Sequence, residues 1–308
     1  MAVEWMEADL PRINKILKKL TAEPSCIKVE RMGGMTNHSY HVFMDNGEDL
    51  VVRLPGDGTE NLICRSDEKV STELAVSLDI DSELLYFGED GTKVSRYIEG
   101  AVTMSPESMR ETENILQAAG ILKALHTCGT DTKVPFEVFD MAANYEEIVL
   151  GNKVSLYVDY PDIKSKIIEI KDSIDSLTGV KKVPSHNDPL CENWVMGKYG
   201  LYLIDWEYAG MNDGMWDLAD VSIEASYNEA QDGTLLNAYF GRQETLDEKR
   251  RFLANKIYLD YLWTLWGLTR VFFDGKVMQS YADKRYARLK TSLLKWKDTE
   301  ELKIWAQV

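Results

Sequence analysis

The 308-residue chain lacks the features that mark several protein classes. It has four cysteines, Cys26, Cys64, Cys128 and Cys191, and none of them stand at CxxC spacing, which argues against a zinc site and a disulfide scaffold. Basic residues are in deficit: 35 Lys and Arg against 51 Asp and Glu give a formal charge of -16 and a pI near 4.8. Nucleic-acid binding shows itself in clustered Lys and Arg, so no nucleic-acid partner is expected. A small cationic substrate, in contrast, would be drawn to an acidic surface. Long apolar runs are missing too. The most apolar helical stretch, "IYLDYLWTLWGL", is short and interrupted by Asp260, which predicts no membrane span and no membrane partner. The first twenty residues carry acids early and have no signal-peptide core, so the expected location is a reducing cytoplasm. There is no internal repeat, no low-complexity linker and no G-x-x-x-x-G-K-[ST] phosphate loop.

What is present is ordinary globular material, 44% hydrophobic and 28% charged, enough to bury a substantial core. The segments "CIKVERMGG", "NHSYHVFMDNG" and "EDLVVRLPGDG" alternate apolar and polar positions and end in turn formers, as antiparallel strands should. Residues 65–78 have helical spacing, and "SELLYFGEDGTKVSRYIEG" returns to strand. After Gly100 the texture turns helical: one helix is expected across 105–129, and others near 140–150, 161–177, 213–230, 246–272 and 279–297. The reading is an α+β chain. A small mixed lobe, 1–99, precedes a larger, mostly helical lobe, 100–308, with a cleft expected near 97–101.

One stretch of the second half reads as strand, "VPSHNDPLCENWVMGKYGLYLIDWEYAG", residues 183–210, and it carries more isolated charge than apolar strands normally tolerate. "WVM" and "LYLI" pair as a hairpin around "GKYG", which puts Asn193 opposite Ile204 or Asp205. An amide oxygen and a carboxylate, with no thiolate or clustered imidazole, suit a hard ion such as Mg²⁺ that shares its shell with phosphate oxygens. Asp188, five residues before Asn193, stands near the metal yet free to orient a hydroxyl and accept its proton. His186 is expected to hold the loop through hydrogen bonds. Downstream, Trp263 and Trp266 lie at i and i+3 on one helix face.

His186, Asp188 and Asn193 form H-x-D-x-x-x-x-N, and "IDWEYAG" follows as a D-x-E segment. Together these resemble the catalytic loop and metal segment of the aminoglycoside phosphotransferase and choline kinase superfamily, relatives of the protein kinases. With "VVRLPG", "SRYIEG", "LIDWEYAGMNDGMWDLAD" and "LWTLWGL", residues 25–297 look like the LicA-type bacterial choline kinases. The resemblance implies a protein-kinase-like two-lobe fold with an ATP cleft, and ATP and Mg²⁺ as cofactors. It implies that Gly33, Gly34, Thr36 and Asn37 form the nucleotide loop, and that Arg53 holds phosphate oxygens, partnered by Glu68 or Glu73 on the next helix. Backbone groups at Tyr97 and Ile98 would read the adenine edge. Asn193 and Asp205 would bind Mg²⁺, with Glu207 reaching it through water or holding the loop, and Asp188 would be the catalytic carboxylate.

The acceptor site implied by the resemblance is an aromatic cage of Trp263, Trp266 and Tyr281 with Glu224 beside it. A quaternary ammonium has no hydrogen-bond donor and is recognised by aromatic faces and a nearby carboxylate. Asp217 would brace the catalytic loop, Tyr208 and Trp216 would support the metal loop, and His126 would be structural. The implied reaction is transfer of the ATP γ-phosphate to choline, giving phosphocholine and ADP. Ethanolamine, another small amino alcohol or an aminoglycoside are alternative acceptors, and a non-catalytic binding module is the alternative of a different class.

Overall fold

In "HSYHVFM" the strand alternation puts Tyr40, Val42 and Met44 on one face, and all three are buried. The structure, a computed structural model, describes residues 2–20, 26–33, 37–56, 63–176 and 180–305, with side chains from 8 to 299 within those ranges. It groups the chain into two compact units: Met1–Met104 with Glu192–Ala209, and Ser105–Cys191 with Gly210–Val308. The hairpin that carries Asn193 and Asp205 thus belongs with the first unit, although its flanking sequence belongs with the second.

The first unit begins with a helix that the strand-rich reading of the first hundred residues did not include, α1 (Ala2–Leu20). It is followed by β1 (Cys26–Arg31), β2 (His38–Met44), β3 (Asp49–Leu54), α2 (Arg65–Ser77), β4 (Leu84–Phe87) and β5 (Lys93–Arg96). The five strands form an antiparallel sheet in the order β1-β2-β3-β5-β4. Ile13, Ile16 and Leu17 recur at helical spacing on α1 and pack on the sheet face made by Tyr40, Val42, Leu50, Val52 and Val94. A polar tie fixes the helix: Asp9 accepts from the Tyr40 hydroxyl at 2.7 Å and lies 2.8 Å from His38 Nδ1. The same unit contains β6 (Val102–Thr103), which pairs with the later hairpin strand β8.

The second unit carries α3 (Pro106–Met109), α4 (Thr112–Thr127), α5 (Val138–Gly151), α6 (Tyr160–Asp175) and β7 (Lys182–Ser185). The single helix expected over 105–129 is broken. Ser105 and Ser108 cap α3 reciprocally, and the Asn114 amide donates to the Ser108 carbonyl at 2.8 Å, so the backbone there is satisfied without continuing the helix.

A 3₁₀ turn (Cys191–Asn193) then leads into β8 (Trp194–Gly197) and β9 (Gly200–Leu203) of the first unit. Their register runs from Trp194↔Leu203 to Gly197↔Gly200, and the Asn193 carbonyl accepts the Ile204 amide at 2.9 Å. Asn193 is therefore opposite Ile204, with Asp205 one residue beyond.

Back in the second unit, β10 (Gly210–Asp213) pairs antiparallel with β7, so Asp213 ends a strand rather than starting a helix. The helix expected over 213–230 is shorter, α7 (Met215–Glu224), and Ser226 at φ 56° turns the chain out of it. A capping box of Asn228 and Gln231 then starts α8 (Glu229–Phe240), a helix not anticipated separately. The two long helices, α9 (Leu246–Asp274) and α10 (Lys276–Trp305), extend beyond their expected bounds and are separated at Gly275, whose φ of 58° ends α9.

Leu17 is 1% exposed. Its truncation to Ala leaves a cavity under the sheet and is expected to cost about 2 to 5 kcal/mol. Lys18→Ala, on the exposed face of the same helix, is expected to be near neutral. Equal urea midpoints for the two variants would contradict this packing.

Candidate active site

The third strand delivers Arg53 into the interior of the first unit, where an unpaired guanidinium would be costly. Its Nη2 is ion-paired with Glu68 Oε1 and donates to the Gly91 carbonyl at 3.0 Å. Its Nη1 lies 3.1 Å from Asp205 Oδ1 and 3.5 Å from Glu207 Oε1. Burial opposes the charge, and the carboxylates of Glu68, Asp205 and Glu207 outweigh it, so the guanidinium stays protonated. Of the two helix partners left open by sequence, Glu68 is the one beside Arg53; Glu73 is exposed and lies 3.8 Å from Lys69.

A second cation joins the network, one that sequence reasoning missed. Arg65 Nη1 is 2.7 Å from Glu68 Oε2 and 2.7 Å from Glu207 Oε1. Gly91, at φ 84°, makes room for it, because a Cβ there would collide with the Arg65 guanidinium. Arg65 opens α2, where a charged residue normally reads as solvent-facing, and nothing in its spacing marks it. Asn37 donates to Glu207 Oε1 at 3.0 Å. Gly33 lies exposed after β1, and Gly34 and Thr36 fall outside the described residues.

Three carboxylates, Glu68, Asp205 and Glu207, thus offer oxygens that all lie within 4.8 Å of one another. An all-oxygen donor set fits Mg²⁺. Glu68 and Glu207 are held by arginines at 0% and 7% side-chain exposure, whereas Asp205 is 35% exposed, so Asp205 is the carboxylate open to an incoming ion. Its φ of 71° is an uncommon conformation for a non-glycine residue, held here by the ion pair and the hairpin. Asp81, also missed, is buried nearby: burial pushes its carboxyl up, Lys93 opposes this, and the charge of Asp205 adds to it. Asn193 sits at the hairpin mouth, one residue short of facing Asp205. Tyr97 and Ile98 follow β5; the Tyr97 amide donates to the Asp49 carbonyl at 2.9 Å and the Ile98 carbonyl accepts from Ala101 at 3.0 Å.

In the second unit Asp217, fully buried in the first turn of α7, shapes the loop after β7. Its two oxygens accept the backbone amides of His186 at 2.7 Å and Asn187 at 2.8 Å, and Oδ2 is 3.0 Å from His126 Nε2. Asn187 takes a φ of 67°, fixed from three sides: its side-chain oxygen accepts from Asn212 at 2.9 Å, and its carbonyl accepts the Trp216 indole at 2.9 Å. Trp216, expected to support the metal loop, braces this loop, because its buried N–H needs an acceptor and Asn187 supplies one. His186 Nδ1 accepts the Asp188 amide at 3.2 Å, which leaves the proton of a neutral ring on Nε2. The loop that carries Asp188 is therefore set by hydrogen bonds on either side of it.

The candidate acceptor residues gather in the same unit. Trp263 and Trp266 on α9 meet edge to face at 6.0 Å, and Trp266 meets Tyr281 of α10 in the same way at 5.8 Å. Gly267 permits this approach, since a Cβ there would lie 2.8 Å from Tyr281 Cδ1. Glu224 joins the cluster through Arg285, which is 2.5 Å from its Oε1 and stacks 5.1 Å from the Tyr281 ring centroid. Arg285 was not anticipated.

With this geometry in place, comparison with known proteins is decisive. The family model described as choline/ethanolamine kinase matches residues 29–265. The chain belongs to the choline/ethanolamine kinase family. A choline/ethanolamine kinase family protein from Mesorhizobium loti is similar in structure, with a TM-score of 0.81, 32% identity, and 93% of this chain and 97% of that one covered. Choline kinase LicA from Streptococcus pneumoniae has a TM-score of 0.78 and 30% identity over 92% of this chain and 98% of its own. A structure of LicA in complex with AMP has a TM-score of 0.76 and 31% identity, covering 92% of this chain and 96% of that one. The expected α+β, protein-kinase-like fold is thus the fold of this family.

Within the kinase's charge network, Glu68→Ala leaves two guanidiniums short of a partner, and one of them is buried. The substitution is expected to lower stability by about 3 to 5 kcal/mol, whereas Glu73→Ala should change it by less than about 0.5 kcal/mol. Thermal unfolding of both variants checks the assignment, and similar losses would count against it.

Proposed function

We propose that this protein is an ATP-dependent choline kinase, transferring the γ-phosphate to the choline hydroxyl and releasing phosphocholine and ADP. The observation that carries the reading is one compact unit that holds both a braced H-x-D loop and a Trp263–Trp266–Tyr281 cluster. The first chemistry suits an alcohol acceptor and the second its trimethylammonium head.

The nucleotide half falls to the first unit. Arg53 would supply a fixed charge for phosphate oxygens, and Asn37 and the backbone at Gly33 would serve as the nucleotide loop. Asp205 and Asn193 would hold Mg²⁺, with Glu207 anchored behind them by Arg65 and Asn37. The bound ion supplies neutralisation of the charge that develops on the transferred phosphoryl group.

In the acceptor half, Asp188 accepts a hydrogen bond from the choline hydroxyl, orients its oxygen for in-line attack and takes its proton. Phosphoryl transfer passes through a loose transition state, so orientation supplies more of the acceleration than early proton removal. Loop rigidity therefore has a direct catalytic value. Asp217, His126 and Trp216 act through Asp188 by fixing the backbone that presents it.

A coupled ADP assay against choline, ethanolamine and an aminoglycoside panel tests the reading. Choline should give the highest kcat/KM, and chelation of Mg²⁺ should abolish turnover. A lead for ethanolamine would reassign the acceptor, and no turnover with any alcohol would favour a binding module. Asp188→Asn is expected to lower kcat by about 10²-fold or more while ATP binding survives. Comparable loss of both in a nucleotide titration would remove Asp188 from this role. Trp263→Ala should raise the choline KM by roughly tenfold, through loss of cation-π contact, with little change for ATP.

A further inference from the structure

Three carboxylates lie along α7 at i, i+3 and i+7, Asp217, Asp220 and Glu224, and this spacing puts them on one face of the helix. The first is consumed by the loop amides and His126, and the last by Arg285. The middle one is different. Asp220 is 0% exposed, and neither of its carboxylate oxygens has a hydrogen-bond partner. A buried carboxylate left this way costs several kcal/mol unless something compensates it.

The surroundings indicate what would balance its charge. On α7 Asp220 lies between Asp217, which holds the His186 and Asn187 amides, and Glu224, whose partner Arg285 rests on Tyr281, so this helix face runs from the acceptor loop toward the aromatic cluster. Arg285 is already divided between Glu224 and Asp260 and rests on Tyr281. Asp260 in turn is held by Arg288 at 2.6 Å. The cations of this buried group are thus committed elsewhere, and Glu224, the acid expected beside the substrate's head, is neutralised by Arg285.

We propose that Asp220 is the carboxylate that recognises the cationic head of the acceptor, with Arg285 holding Glu224 in a supporting position. The inference rests on the choline kinase reading and assigns its specificity to a residue that no motif comparison had singled out. The aromatic rings supply shape and dispersion; Asp220 supplies the charge that separates a trimethylammonium from its neutral isostere. Burial, then the neighbouring acids, pushes the Asp220 carboxyl well above the usual carboxylate range, with Arg285 opposing. A proton and a docked cation are therefore alternative ways of neutralising this group. Acceptor binding should therefore weaken as pH falls, because protonation competes with the cation.

The test compares wild type with Asp220→Asn, using choline and 3,3-dimethyl-1-butanol, in which carbon replaces the quaternary nitrogen. Asp220→Asn is expected to raise the choline KM at least about tenfold, equivalent to about 1.4 kcal/mol of binding. The KM values for the neutral alcohol and for ATP should stay within about twofold, and Asp220→Glu should recover part of the choline affinity. Calorimetry in buffers of different ionisation enthalpy should show proton release on choline binding by wild type only. Equal shifts for choline and the neutral alcohol, no shift for either, or an Asp220→Asn chain that fails to fold would each overturn the inference.

If wild type turns over no choline, the functional reading fails and a tetramethylammonium titration followed by tryptophan fluorescence still decides this point. Binding by wild type that is lost in Asp220→Asn supports it. Equal binding by both, or none, overturns it.

Discussion

A buried arginine that cannot give up its charge organises the first unit of this protein. Arg53 requires carboxylates around it, and three come from distant parts of the chain: Glu68 from α2, and Asp205 and Glu207 from the segment after β9. Arg65 closes the network from the start of the same helix as Glu68. Two guanidiniums against three carboxylates leave a residual negative charge, and the most exposed acid, Asp205, is where that charge meets solvent. The same constraint accounts for the strained backbone at Asp205, since a relaxed conformation would forfeit an ion pair in a low-dielectric site.

The second unit follows a parallel logic with the signs exchanged. There a buried carboxylate, Asp217, is satisfied by backbone amides and an imidazole, and through them it sets the conformation of the loop that presents Asp188. Asn187 holds a left-handed conformation because Asn212 and Trp216 bind both its side chain and its carbonyl. One turn further along α7, Asp220 has no such compensation. Helix α7 therefore runs from a satisfied acid that builds the loop, through an unsatisfied one suited to a cation, to one neutralised by Arg285.

The H-x-D-x-x-x-x-N motif was legible because its residue types and spacing are local. His186, Asp188 and Asn193 fall within one loop, and the hairpin that aligns Asn193 with the Asp205 segment is defined by a short turn and period-two alternation. The five strands of the first unit's larger sheet were legible for the same reason. The helix breaks were not: Ser108 turning back on Ser105, and Ser226 leaving α7, are choices between alternative hydrogen-bond partners within an otherwise helical pattern. Arg65, Gly91 and Arg285 were also invisible, since each acquires its meaning from a partner many residues away.

By itself the sequence determined the class of chemistry, an acidic α+β chain with a kinase-type loop, a metal segment and a paired-tryptophan helix, because residue type and short-range spacing carry that information. Only the tertiary structure decided which charges are buried and how each is compensated. It chose Glu68 over Glu73, made Trp216 a brace of the loop after β7, and tied Glu224 to Arg285 while leaving Asp220 without a hydrogen-bond partner. The physical reason is that the cost of a charge depends on its distance from opposite charge and from water, and both are properties of the folded chain rather than of any segment of it.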